Sequence, residues 1–306
     1  MSKGPGAAVS NVPDGNRPKV QEVTRSVSRL LARMIREQGF GEAELPGSDL
    51  IVGSHYGRVE FIVKGGEQAN QLGYADYCGP NFFTHSISSA ITGQASIDHR
   101  ISGETVTINT GDLSGLDAIG YCHLVAGVKP GLLFAGGADS AFAIEASGYK
   151  RGDALPGGGA GLFALCNEGY AALHNRKPIA YILDYSSGLE PGYIEEGFEG
   201  LLREALSSPL FAEKEKILLL ILGDHPVKTP GPEFAPGKRI RYIAPGDDMG
   251  EGGAATGPVV LAGLLDKAPP AAFGELLDAV SIGDYDLVFL AGYESSGKYT
   301  HLAVGV

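Results

Sequence analysis

Asp112 stands at the turn of the segment Thr107-Ile-Asn-Thr-Gly-Asp-Leu-Ser-Gly-Leu-Asp-Ala-Ile-Gly120. Val106 and Ile108 read as the end of a buried strand. Gly111 allows a sharp turn, and Leu113, Leu116 and Ile119 open a helix. A strand, elbow and helix in this order can present a nucleophile at a helix N-terminus, where free N–H groups and the dipole favour negative charge. A carboxylate also suits that place simply as a helix-start cap, worth ~0.5–2 kcal/mol. As a nucleophile toward an acyl group it is poor, because the anhydride formed is hydrolytically fragile and the sequence puts no partner base beside it.

Other reactive side chains are scattered. Cys78, Cys122 and Cys166 are the only cysteines and have no CxxC spacing, which fits packed thiols in a reducing cytoplasm. Cys122 falls within the helix after the elbow and cannot take over from Asp112. His55 and His85 lie in loops able to approach the elbow, but two histidines without a third ligand make a poor metal site. Gly157-Gly-Gly-Ala-Gly161 lacks GxGxxG spacing and precedes a strand, so a tight turn is expected there and no dinucleotide site. No cofactor and no metal are expected.

The elements that must position these groups alternate between strand and helix. Residues 1–18 read as a flexible tail. A helix follows, with Val23, Val27, Leu30, Leu31, Met34 and Ile35 on one face and Arg25, Arg29, Arg33 and Arg36 on another; Gly39 and Gly41 end it. Strands are expected at 49–52, 105–109, 131–135, 161–166 and 179–183, with 65–100 irregular and holding only small helical pieces. The composition changes near 187. A helix is expected at 193–207, a mid-sheet strand at 217–222, a strand at 240–243, a helix at 253–266, and strands at 287–290 and 302–304. The reading is α/β in two halves, 19–186 and 187–306.

The net charge of −12 argues against a broad nucleic-acid surface, and no apolar run reaches ~18 residues. With no secretion signal at the N-terminus, a cytoplasmic protein without a membrane span is expected.

Five stretches in order give a more specific reading. They are Leu50-Ile-Val-Gly-Ser-His-Tyr-Gly-Arg-Val-Glu60, Gly79-Pro-Asn-Phe-Phe-Thr-His-Ser86, the elbow with Ser114-Gly-Leu-Asp117, Leu133-Phe-Ala-Gly-Gly-Ala-Asp-Ser140 and Gly157-Gly-Gly-Ala-Gly161. Together they resemble the β-ketoacyl synthases of the thiolase-like superfamily over residues 20–185. The elbow is similar to that of aromatic-polyketide synthases and their chain-length factors, and to ketosynthase-like N-terminal domains that carry Gly-Asp there. The resemblance implies a layered αβαβα fold of two related halves, truncated at the N-terminus and shortened in the C-terminal half. It also implies that a cysteine normally stands where this chain has Asp112.

In the second half, His225-Pro-Val-Lys-Thr-Pro-Gly-Pro-Glu233 overlays the family's first histidine loop, which makes His225 a candidate oxyanion donor. Gly250-Glu-Gly-Gly-Ala-Ala-Thr-Gly257 overlays the second, with Glu251 in place of the histidine. Tyr293-Glu-Ser-Ser-Gly297 stands for the family's last glycine-rich loop.

Decarboxylative condensation needs a thiolate and two donors for the enolate oxygen. Asp112 and Glu251 replace one of each, so condensing activity is not expected, and whether any other catalysis survives is left open. The expected role is a non-catalytic subunit pairing, as hetero- or homodimer, with an active ketosynthase in polyketide or fatty-acid-type biosynthesis. One alternative is a decarboxylase or hydrolase using Asp112 and His225. Another is a protein that binds an acyl group or an acyl carrier protein, with the arginine face as its support.

Overall fold

The computed structural model describes residues 22–73, 86–147, 157–189, 194–222, 237–243, 253–266 and 280–306. Two sheets carry the architecture. The first has four strands in the order β2-β1-β3-β4, formed by Asp49–Gly53 (β1), Thr105–Ile108 (β2), Leu133–Asp139 (β3) and Gly159–Leu165 (β4). The second has five, in the order β5-β9-β8-β6-β7, from Tyr181–Leu189 (β5), Lys216–Leu222 (β6), Arg239–Ile243 (β7), Leu287–Tyr293 (β8) and Lys298–Gly305 (β9).

The two sheets repeat one pattern. β1 runs parallel to β2 and β3, and β3 antiparallel to β4. In the same way β6 runs parallel to β7 and β8, and β8 antiparallel to β9. β5 adds an antiparallel edge to β9, so the composition change near 187 lies inside the first strand of the second sheet.

Alternation along the strands explains the layers. Ile51, Leu133 and Ala135 face one way from the first sheet, and Leu218, Leu220, Val288 and Leu290 face them from the second. Between the sheets lie the helices Ser114–Val128 (α4) and Thr256–Leu265 (α8), which contribute Leu116, Ile119, Val260, Leu261 and Leu264 to the same core. Over Ser114–Gly120 every residue is buried, as expected of a helix enclosed on all sides.

On the outer face of the first sheet, Leu50, Val52 and Phe134 meet Val27, Leu30, Leu31 and Met34 of the helix Glu22–Gln38 (α1), together with Ile91 and Ala95 of Ala90–His99 (α3). On the outer face of the second, Ile217, Leu219 and Phe289 meet Phe198, Leu202 and Leu206 of Ile194–Leu206 (α7). The result is five layers, α-β-α-β-α. The helices Val59–Leu72 (α2) and Ala141–Ser147 (α5) form a small cluster through Val59, Ala143 and Ile144, with Tyr56.

Four local expectations change. Val106 and Ile108 are only partly buried, because among the described residues β2 hydrogen-bonds to β1 alone and stands at the sheet edge. Region 65–100 holds the regular helices α2 and α3 on either side of residues 74–85, which lie outside the described residues. Strand β3 runs straight through Gly136 and Gly137 instead of closing before them. There a Cβ would strike the carbonyls of Gly161 and Ala254, so glycine lets the neighbouring layers close on the strand. Strands β8 and β9 are longer than their apolar cores and shorten the turn between them to 294–297.

Candidate functional site

Parallel strands β1 and β3 end on the same side, and the chain leaving them meets the elbow after β2. Gly111 has φ 101°, and the Glu294 carboxylate occupies the place a Cβ would take. A glycine is therefore required twice over, by backbone and by space. Ser114 pins the turn, accepting from Thr110 N–H at 2.8 Å and donating to the Gly111 carbonyl at 2.5 Å. Helix α4 then begins with Leu113 at its N-cap.

The expectation that Asp112 caps this helix is overturned. The buried N–H of Leu113 donates to Glu294 Oε1 at 3.0 Å, from the turn between β8 and β9. Glu294 is 8 % exposed, and Ser296 Oγ donates to its other oxygen at 3.3 Å. Asp112 turns instead toward the loop after β1, where His55 Nδ1 donates to its Oδ1 at 2.6 Å. A carboxylate can only accept here, so Nδ1 carries the proton. The Asp112 hydrogen bond raises the His55 pKa above its ordinary value, burial opposes, and the charges of Asp112, Asp139 and Glu294 add to the rise.

Asp139, at the end of β3, fixes the loop that bears His55. Its carboxylate accepts from Ser54 Oγ at 2.8 Å, from the main-chain N–H groups of His55 and Tyr56 at 3.1 Å each, and from Ala254 N–H at 2.9 Å. Burial pushes this carboxyl up to about 6, against the pull of its four donors. Ala254 opens the second central helix layer, so one buried carboxylate joins the β1 loop, β3 and the start of α8.

Behind the elbow, Asp117 on α4 anchors the second sheet. It accepts from Thr110 Oγ1 at 2.5 Å, Thr300 Oγ1 at 2.8 Å and Tyr185 OH at 3.1 Å, and pairs with Lys298 Nζ at 2.7 Å. Burial alone would raise its pKa, but Lys298 and the hydroxyl donors outweigh that and lower it.

Of the residues singled out from sequence, Asp112 and His55 come together. His225, Glu251, His85 and Cys78 lie outside the described residues. Cys122 is fully buried in α4 and burial pushes its thiol up, away from reactivity. Cys166 is half-buried and shifted the same way by burial. Among the described residues no group of three or more His, Cys, Asp or Glu side chains is arranged to hold a metal ion. No described helix is long and apolar enough to cross a membrane. Sequence reading missed Glu294 as an elbow residue, although the overlay of Tyr293–Gly297 on the family's last loop put it beside the site. Asp139 falls within the stretch Leu133–Ser140, where nothing local marks its carboxylate as a site residue.

Comparison with solved structures gives the same architecture. A β-ketoacyl synthase from Burkholderia phymatum STM815 superposes with a TM-score of 0.70 at 17% identity, covering 97% of this chain and 86% of that one. The ishigamide ketosynthase/chain length factor gives 0.68 at 17%, covering 97% and 84%. A type II polyketide synthase acyl carrier protein in complex with its ketosynthase bound to the hexaketide gives 0.66 at 15%, covering 96% and 85%. No protein-family model and no curated sequence matches the chain. The chain has the thiolase-like fold of ketosynthases and chain-length factors.

Proposed function

We propose that the chain is a ketosynthase-like subunit that does not condense acyl groups itself and pairs with an active β-ketoacyl synthase in polyketide or fatty-acid-type biosynthesis. One observation carries this reading: at the elbow, carboxylates occupy both the nucleophile position, Asp112, and the free helix N–H, through Glu294. Condensation develops negative charge on a thioester or enolate oxygen. Donors facing that oxygen lower the barrier, and losing one costs ~3–4 kcal/mol. Here such an oxygen would meet Asp112 and Glu294, with His55 already committed to Asp112. Cys122 cannot carry an acyl group in its place, since it is sealed in the helix.

Support for pairing comes from one side of the molecule. The β2 edge, the outward stripe of α4 and the β5 edge follow one another there. Tyr121, Leu124 and Val128 lie within one helical face and are 37%, 56% and 85% exposed; Tyr181 and Leu189 on β5 are 50% and 63% exposed. An apolar stripe between two open strand edges is the kind of surface a partner covers. An acyl carrier protein, acidic by chemistry, would meet the arginine face of α1, where Arg29 and Arg36 are exposed and Arg33 pairs with Glu37 at 2.9 Å. The cytoplasm is the compartment proposed.

Intact-mass spectrometry after incubation with an acyl thioester tests the non-condensing part. The chain should keep its unmodified mass while an active ketosynthase gains the acyl group; a stable acyl adduct on this chain would refute the reading. The His55–Asp112 pair favours a second reading, hydrolysis or decarboxylation of a thioester through Asp112, with His225 as the further donor. Turnover of malonyl- or acyl-carrier protein that disappears in Asp112→Ala would establish it.

A further inference from the structure

Carboxylates cross from each half of the chain to close a helix start in the other. The order β2-β1-β3-β4 in the first sheet matches β7-β6-β8-β9 in the second, so β3 and β8 hold equivalent places. Asp139 is the last residue of β3, and Glu294 the first after β8. Glu294 Oε1 accepts from Leu113 N–H at 3.0 Å, at the start of α4; Asp139 Oδ2 accepts from Ala254 N–H at 2.9 Å, just before α8. Each carboxylate also fills the space beside a glycine of positive φ, Gly111 at 101° and Gly253 at 52°. Both are buried, Glu294 at 8% and Asp139 at 2% exposure. The two helix starts also touch. The Ala254 carbonyl lies where a Cβ of Gly115 would stand, and the Ser114 carbonyl where a Cβ of Gly53 would. Ser54 Oγ, beside Gly53, donates to Asp139 at 2.8 Å. Direct contact therefore runs from Glu294 through Leu113 and its neighbours to Asp139 by two routes, one over Ala254 and one over Gly53 and Ser54.

We propose that Asp139 and Glu294 form a reciprocal lock, which makes the two helix starts one cooperative unit that opens as a whole. A helix start whose cap is lost keeps a main-chain N–H without its acceptor inside a covered turn. It relaxes only by moving a carbonyl or glycine that is packed against the other start, because close-packed layers transmit such a shift. Groups in direct contact couple in this way, whereas two independent caps would act additively. The Asp112 elbow is thus shaped from the second half, by the turn after β8, and not by its local sequence alone. The lock goes beyond the pairing role and does not depend on it.

The test uses the full chain and native-state amide hydrogen exchange, read at Leu113, at Ala254 and, as a reference inside the second sheet, at Leu219 of β6. Glu294→Ala removes the cap on Leu113. The lock predicts that it also speeds exchange at Ala254, by about fivefold or more beyond any change at Leu219. Asp139→Asn turns an amide NH2 toward N–H and O–H donors whichever way it faces, and should speed exchange at Leu113 by a similar margin. In the double variant both amides should speed up by less than the product of the single effects. Exchange at Ala254 that is unchanged in Glu294→Ala, or that rises only as much as at Leu219, would overturn the proposal. Single effects that simply multiply in the double variant would overturn it too. If Asp139→Asn does not fold, the Glu294→Ala measurement decides alone. No ketosynthase is needed for the readout, so the lock and the pairing can fail separately.

Discussion

Glu294 satisfies the N–H of Leu113 at the start of the elbow helix, and the consequences of removing it are specific. Glu294→Ala should destabilise the protein by about 1–2 kcal/mol, measured by urea unfolding, because Leu113 N–H loses an acceptor inside a covered turn. Glu294→Gln, which keeps an acceptor oxygen, should cost less. Destabilisation by Gln as large as by Ala would show that charge, more than the hydrogen bond, supports the turn. Asp112 was legible in sequence because Gly111 and the apolar run after it fix an elbow from local pattern alone. What Asp112 touches was not legible. His55 lies 57 residues earlier and Glu294 about 180 later, and only the register of two sheets brings them to one point.

At the scale of elements, helix α4 is held between the sheets by polar as well as apolar contacts. The Lys298–Asp117 pair is buried, with side-chain exposures of 15% and 5%. Asp117→Ala should cost about 3–5 kcal/mol, because Lys298 is left buried without its partner. A substitution costing under 1 kcal/mol would mean that Lys298 finds water or another acceptor. The lowered Asp117 pKa sets the pH dependence: its contribution is present above the unfolded value, 3.8, and lost as pH falls through the folded value, so wild type should lose stability in acid more steeply than the variant. Gly137→Ala places a methyl against the Ala254 carbonyl and should cost about 1–3 kcal/mol in thermal or urea unfolding. Most helices and central strands could be read from apolar periodicity, since α1, α7 and β6 each bury the face their sequence marks. Edge strand β2 could not, because Val106 and Ile108 look the same at an edge as at a centre. The glycines of β3 look like a turn until the neighbouring layer explains them.

For the whole molecule, the repeated 2-1-3-4 strand pattern and the five layers were implied by the resemblance more than by composition, which establishes only alternating α and β. His225 and Glu251 fall outside the described residues, so the proposed loss of condensation rests on Asp112, His55 and Glu294. The central claim is that this fold serves as a partner without condensing. Its most direct test is the mass, by analytical ultracentrifugation, of the chain co-expressed with a ketosynthase encoded beside it, for wild type and for the Leu124→Asp, Val128→Asp double variant. Both positions are exposed on α4, so the variant should unfold within ~0.5 kcal/mol of wild type when assayed alone. The account predicts a one-to-one complex for wild type and separate species for the variant. A wild-type chain that sediments alone beside the ketosynthase, or a double variant that pairs as tightly as wild type, would contradict it.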